Sequence, residues 1–235
     1  MSYEELGHEI TAITGLYNFM QKYLNWMEVK NFSSVTIKRR SHNLLVFIRW
    51  CDLRGLALPT EITKPIAQRY QRYLFHYRKK DGHQLKIQTQ ISRLVAIRSW
   101  FKWMSKENYI LYNPLADIEL PKAEKRLPMD VLNQKEIKEV LSQPDLLTPY
   151  GIRDRAILET LYSTGIRRAE LTNLGLHDVD TEREILLVRQ GKGNKDRVVP
   201  IGARAIKWIE KYKYEIRPEL ECNRDNGELF LSRLG

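Results

Sequence analysis

The chain has 235 residues, 43% of them hydrophobic and 29% charged, with a formal net charge of +10. That balance excludes a disordered chain, and no apolar run approaches membrane-spanning length. Two cysteines, Cys51 and Cys222, far apart and in no metal-like spacing, exclude a disulfide framework and point to a reduced, cytoplasmic protein without metal or cofactor.

The charge is uneven. Residues 1–125 carry 20 Lys and Arg against 11 Asp and Glu, whereas residues 126–235 carry 19 against 18. The first half therefore supplies most of the attraction for a polyanion. Glu4, Glu5 and Glu9 interrupt any signal-peptide pattern at the start.

In chain order, Ile10 to Val29 repeats apolar residues at three and four (Ile13, Leu16, Tyr17, Met20, Tyr23, Leu24, Met27), one face of a helix. Ser33-Ser34 offers an N-cap to a second helix from Val35 to Leu53, with Ile37, Leu44, Leu45 and Ile48 inward. Thr60 or Thr63 caps a third helix reaching Tyr77, and Lys79 to Gln84 is a polar connector. A fourth helix carries Ile87, Ile91, Leu94, Ile97, Trp100, Phe101 and Trp103 and ends near Asn108. Together these form a four-helix bundle over residues 10–112.

The polar faces of this bundle are basic. Lys38, Arg39 and Arg40 lie on the second helix, and Arg93 and Arg98 on the fourth. Ser, Thr, Gln and Asn stand among them, side chains that accompany phosphate and base-edge contacts. The same residues also suit a solubilising face. No helix-turn-helix spacing stands out.

Prolines at 114, 121 and 128 bracket a polar stretch, which reads as a linker over residues 113–130. Residues 131–235 then mix helices and strands. Asn133, with Glu136 three residues on, starts a helix to about Leu141. Tyr150 to Ser163 is a helix burying Ala156, Ile157, Leu158, Leu161 and Tyr162. Gly165 breaks it, and Arg167 to Leu174 makes a short further helix. Glu184 to Val188 and Arg197 to Ile201 are strands flanking Gly191-Lys192-Gly193-Asn194-Lys195, a hairpin. Ala203 to Ile216 is amphipathic, and Glu228 to Leu231 begins a buried segment.

Two cations on different elements give this half its chemistry. Arg167 opens a helix after a glycine-centred break, where a guanidinium can meet a phosphate fork to fork. Glu170 lies over the same turn and can hold it in one rotamer. Lys192 sits at a glycine-flanked tip, where an ammonium serves as point charge or proton donor. Either motif alone marks many surface turns, and the hairpin is not a Walker-type loop.

Arg153–Leu158, Tyr162–Leu171, Asp178-Val179-Asp180 and Val188–Ile201 occur in an order and spacing that resemble Xer-like members of the tyrosine recombinase (phage integrase-like) family. The resemblance extends to the basic bundle and linker. It implies a mainly α protein: a helical core-binding, DNA-binding domain (10–112), a linker (113–130) and a partial α+β catalytic domain (131–235) with a small β-hairpin. Its implied partners are double-stranded DNA and other recombinase protomers, with no membrane. Its implied activity is site-specific recombination or integration through a 3′-phosphotyrosine intermediate. On this resemblance Arg167 contacts the scissile phosphate, Lys192 protonates the leaving 5′ hydroxyl and Glu170 supports them. Lys195 and Arg197 match positions near the DNA.

One departure stands out. The family carries His-x-x-Arg, a further His or Trp, and a nucleophilic tyrosine after the hairpin, yet no histidine follows His177 here. Tyr212 and Tyr214 read as helix-face residues. The expectation is therefore a catalytic domain incomplete at its C-terminal side, by a cut or an early stop. Two functions stay open: part of a strand-exchange enzyme, or an inactive DNA-binding relative that occupies recombination sites.

Overall fold

In the computed structural model, which describes residues 15–123, 131–189, 191, 195–221 and 227–232, the chain forms two units, Met1–Arg126 and Leu127–Gly235. Each has its own hydrophobic core. The fold is mainly helical with one small antiparallel sheet, as the sequence pattern implies.

In the first unit α1 (Gly15–Val29) buries Leu16, Met20, Tyr23, Leu24 and Met27, one face at helical spacing. The expected start at Ile10 lies outside the described residues. Ser33 caps α2 (Ser34–Asp52) through its side-chain oxygen, which accepts the Thr36 N–H. A single 3₁₀ turn, Pro59–Glu61, follows, with the Glu61 carboxylate accepting the Ala57 and Leu58 N–H groups at 2.8 and 2.7 Å. Thr63 then stands at the N-cap of α3 (Lys64–His76). The polar connector closes on itself by an antiparallel bridge between Arg78 and Gln84. α4 (Ile87–Lys106) buries Leu94, Ala96, Ile97, Trp100, Phe101, Trp103 and Met104 and packs on the other three helices. Ile87, expected inward, is exposed because it sits in the first turn, beyond the reach of the core.

Four of the five tryptophans, Trp26, Trp50, Trp100 and Trp103, belong to this unit and pack in its aromatic core. Leu115 and Ile118, in the stretch expected to be linker, are buried there too.

In the second unit the Asn133 side chain accepts the Lys135 and Glu136 N–H groups at the start of α5 (Gln134–Ser142), and Glu136 returns a bond to the Asn133 N–H at 2.7 Å. α6 (Pro149–Thr164) ends at Gly165, whose φ of +61° is a conformation that favours glycine. α7 (Arg168–Thr172) is shorter than expected. The sheet has order β1-β2-β3: β1 (Val179–Asp180), β2 (Ile185–Val188) and β3 (Arg197–Pro200), all antiparallel. α8 (Ala203–Lys211) passes into a π-helical turn, Tyr212–Ile216, where one helix from Ala203 to Ile216 was expected, and α9 (Arg217–Leu220) follows. Leu229, Phe230 and Leu231 are buried, with Gly175 and Glu228 bridging the segment to the rest of the unit.

One inward assignment in α6 changes. Tyr162 is 55% exposed, while Glu159 and Thr160 take the buried positions of α6. Glu159 can lie inside because two arginines meet it there: Arg155 on Oε1 and Arg204 on Oε2.

Candidate active site

The break after α6 sets Arg167. Gly165 lets the chain leave the helix, and Ile166, 5% exposed, anchors the turn in the core. Arg167 is thereby left extended (φ −73°, ψ 151°) as the residue before α7, its side chain 59% exposed. Glu170, one turn on, faces back and is buried, its side chain only 6% exposed.

Four hydrogen bonds converge on that carboxylate. Oε2 accepts the Arg167 backbone N–H at 2.8 Å, and Oε1 accepts Arg167 Nη1 at 2.9 Å. Arg197, first residue of β3, adds Nη1 to Oε1 at 2.9 Å and Nη2 to Oε2 at 2.8 Å. This is a two-point guanidinium–carboxylate pair. The Arg197 bonds, followed by the Arg167 N–H, hold the Glu170 carboxyl at about 2, well below the usual carboxylate range. The same pairing raises the Arg197 guanidinium above its ordinary value.

The hairpin reaches this cluster through Gly191. A Cβ there would lie 2.8 Å from Arg197 Nη1, 3.0 Å from the Lys195 carbonyl and 3.2 Å from Glu170 Oε1. Only a residue without a side chain lets the turn settle on the ion pair. The Gly191 N–H donates to Lys195 O at 3.0 Å, closing the turn. Lys192 lies outside the described residues. Lys195 is exposed on the far side of the turn.

A second buried carboxylate steadies the hairpin base. Asp178, 5% exposed, accepts Arg189 Nε at 2.7 Å on one oxygen and the Gly175 N–H at 2.8 Å on the other. Arg189 directly follows β2, so the loop before β1 and the outgoing strand are tied together.

Of the expected second-unit residues, the structure brings together Arg167, Glu170 and Arg197. Arg197 was expected to face a ligand; its guanidinium is turned onto Glu170. Sequence reading missed Glu159, Asp178 and Arg204 as network members. Glu159 had a signal: an acid four residues after Arg155 and three after Ala156, on the inward stripe. Tyr212 is fully buried, stacks on Phe230 and accepts the Leu231 N–H at 3.1 Å, whereas Tyr214 is 69% exposed.

In the first unit Lys38 and Arg39 are exposed on α2. Arg40 is half-buried and lines a cavity of about 280 Å³ with Tyr23, Trp26, Phe32, Lys102 and Trp103. Arg93 is half-buried, its Nε without a partner among the described residues. Arg98 spends its guanidinium on the fold: Nε donates to the Leu115 carbonyl at 3.0 Å and Nη2 to that of Ile118. No cluster of potential metal ligands occurs among the described residues, and no helix there is long and apolar enough to cross a membrane.

Such an arrangement suits an oxyanion. It offers an exposed guanidinium with a fixed root, backed by a carboxylate that is already neutralised.

Comparison with known proteins agrees with this geometry. Residues 130–235 match the Phage integrase family model. The chain is 46% identical over 205 residues to "Tyrosine recombinase XerC 2" of Ralstonia nicotianae, covering 87% of this chain and 59% of that protein. It is 31% identical over 220 residues to "Tyrosine recombinase XerC" of Oceanobacillus iheyensis, covering 92% and 70%. In fold it resembles the Tn1549 transposon integrase solved with circular intermediate DNA, at 18% identity and a TM-score of 0.63 over 95% of this chain and 73% of that one. The XerH recombinase solved on a palindromic difH substrate gives 21% identity and 0.62 over 91% and 61%. The chain thus spans about three-fifths of the length of its Ralstonia relative.

Proposed function

This chain belongs to the Xer-like tyrosine recombinases of the phage integrase family, and on that premise we propose that it takes part in site-specific DNA recombination, holding duplex DNA and presenting Arg167 to the phosphate that reacts. The observation that carries this is the exposed Arg167 guanidinium rooted on the buried Glu170 carboxylate. Lys192, next in sequence to Gly191, is the proposed proton donor to the leaving 5′ oxygen. Lys38, Arg39 and Arg40 are proposed to grip the DNA backbone with the rest of the basic first unit, in the cytoplasm and with further recombinase protomers on the same site.

Strand cleavage in the family runs through a tyrosine after the hairpin, and the sequence offers Tyr212 and Tyr214 there without the His-x-x-Arg that accompanies it in the family. Tyr212 is buried with its hydroxyl engaged, and no histidine follows His177. That favours a second reading in which residues 1–235 bind DNA and leave cleavage to groups outside them. Incubation with a nicked suicide substrate decides. The first reading in its full form yields a covalent protein–DNA adduct that survives a denaturing gel; the second yields a mobility shift and no adduct. A protein with neither DNA affinity nor adduct removes both.

A further inference from the structure

Glu170 stands between two arginines that hold it in different ways. Arg197 covers both carboxylate oxygens with its two terminal nitrogens, whereas Arg167 touches Oε1 with Nη1 alone. Oε2 has a third claimant, the backbone N–H of Arg167. We propose that Arg197 is a positioning residue that keeps Arg167 available to a phosphate, by occupying the Glu170 carboxylate in its place. The proposal rests on reading Arg167 as the phosphate-facing arginine and gives Arg197 a role that acts through it.

A carboxylate this buried needs compensating charge at all times. Suppose a phosphate draws the Arg167 guanidinium off Oε1. Glu170 then keeps three of its four bonds, two from Arg197 and one from the Arg167 N–H. What is given up is one contact of an exposed side chain, a small cost. Remove Arg197 and the balance reverses. Among the described residues Arg167 is then the one side-chain cation left on the Glu170 carboxylate, and its fork closes on the group it now has to neutralise. Phosphate must then compete with Glu170 for the same nitrogens. Gly191 is consistent with this arrangement, because any side chain there would displace Arg197 Nη1. The carboxyl held near 2 also keeps Glu170 ionised throughout the neutral range, so the exchange needs no proton.

Arginine modification by phenylglyoxal, followed residue by residue by mass spectrometry on the whole chain, reads the availability of the Arg167 guanidinium. Arg168, exposed beside it, is the internal reference. Relative to Arg168, Arg197→Ala slows modification of Arg167 severalfold and Arg197→Lys slows it less. Glu170→Gln accelerates it, and the double variant Arg197→Ala with Glu170→Gln restores at least the original rate. Unchanged or faster modification in folded Arg197→Ala overturns the proposal. Should that variant fail to fold, Glu170→Gln and Arg197→Lys decide, and no acceleration in the first or no slowing in the second overturns it. A separate arm adds duplex DNA at low salt to the unaltered protein. Protection of Arg167 is expected; its absence overturns the phosphate reading beneath the proposal, independently of the variant series.

Discussion

Arg204 of α8 reaches the Glu159 carboxylate of α6 with two nitrogens, at 2.8 and 2.7 Å, although Glu159 lies 45 residues earlier and its side chain is 2% exposed. From the other side Arg155 meets the second carboxylate oxygen and also donates to the Leu141 carbonyl at the end of α5. One buried anion therefore joins three helices of the second unit.

Removing that anion strands two guanidinium groups. Glu159→Ala is expected to destabilise the second unit by about 3–5 kcal/mol, the usual loss when one partner of a buried pair is deleted. Arg204→Ala removes a half-exposed partner and leaves Arg155 in place, so its cost is about 1 kcal/mol. Urea unfolding of both variants measures this, and equal losses would show that burial of Glu159 is not what matters.

Glu170 sets an acid response of definite sign. Its carboxyl is held at about 2 against an ordinary 4.5, so its contribution to stability is complete above the ordinary value. That contribution fades as the pH falls from there through about 2. The melting temperature of the unaltered protein is expected to drop more steeply over this window than that of Glu170→Gln. A parallel decline in the two proteins would mean that the Arg197 pairing does not persist in solution.

Local features were legible in the chain and non-local ones were not. Ser33 and Asn133 could be placed as caps because a cap is decided within four residues. The Gly165 break and the β2–β3 hairpin follow equally from neighbouring residues. Arg197 and Glu170 are 27 positions apart, and nothing in either segment says that one guanidinium turns inward to meet the other's carboxylate. Arg98 misleads for a related reason: it stands on the polar side of α4, yet carbonyls 17 and 20 residues later bind its guanidinium. Tyr162 and Glu159 exchanged places because periodicity assigns the apolar residue to the inside, and only tertiary packing supplies the arginines that let an acid in. Strand β1, two residues long, is too short to leave a pattern.

Binding of duplex DNA is expected to reside in the first unit and to weaken steeply with salt. Residues 1–112 alone carry 18 Lys and Arg against 8 Asp and Glu, and each neutralised phosphate steepens the dependence on salt by about one logarithmic unit per tenfold change. Because Leu115 and Ile118 complete the core, a fragment for this test runs to residue 126. A mobility shift at low salt with the fragment, lost at higher salt, is the expected result. No shift at low salt refutes the charge argument.

Arg167 and Lys192 are expected to differ in kind. In a protein extended by the residues that family members carry after the hairpin, Arg167→Ala and Lys192→Ala should each lower strand cleavage by on the order of 10²-fold or more, with little change in DNA affinity. A substrate with a sulfur leaving group needs no proton on departure, so it should rescue Lys192→Ala and leave Arg167→Ala impaired. Equal rescue of both would remove proton donation from Lys192.

The tryptophans divide four to one between the units, and the odd one, Trp208, lies between two cations, with the Arg155 guanidinium 5.1 Å and the Lys211 ammonium 5.7 Å from its ring. The molecule thus carries an optical label for its own halves. Emission from the intact chain reports mainly on the aromatic interior of the first unit. Trp208→Phe would make that report exclusive, and a chain keeping Trp208 alone would register the loosening of α8 from α6 as the ring parts from Arg155. Which half lets go first under load, heat or denaturant can therefore be read without attaching a dye.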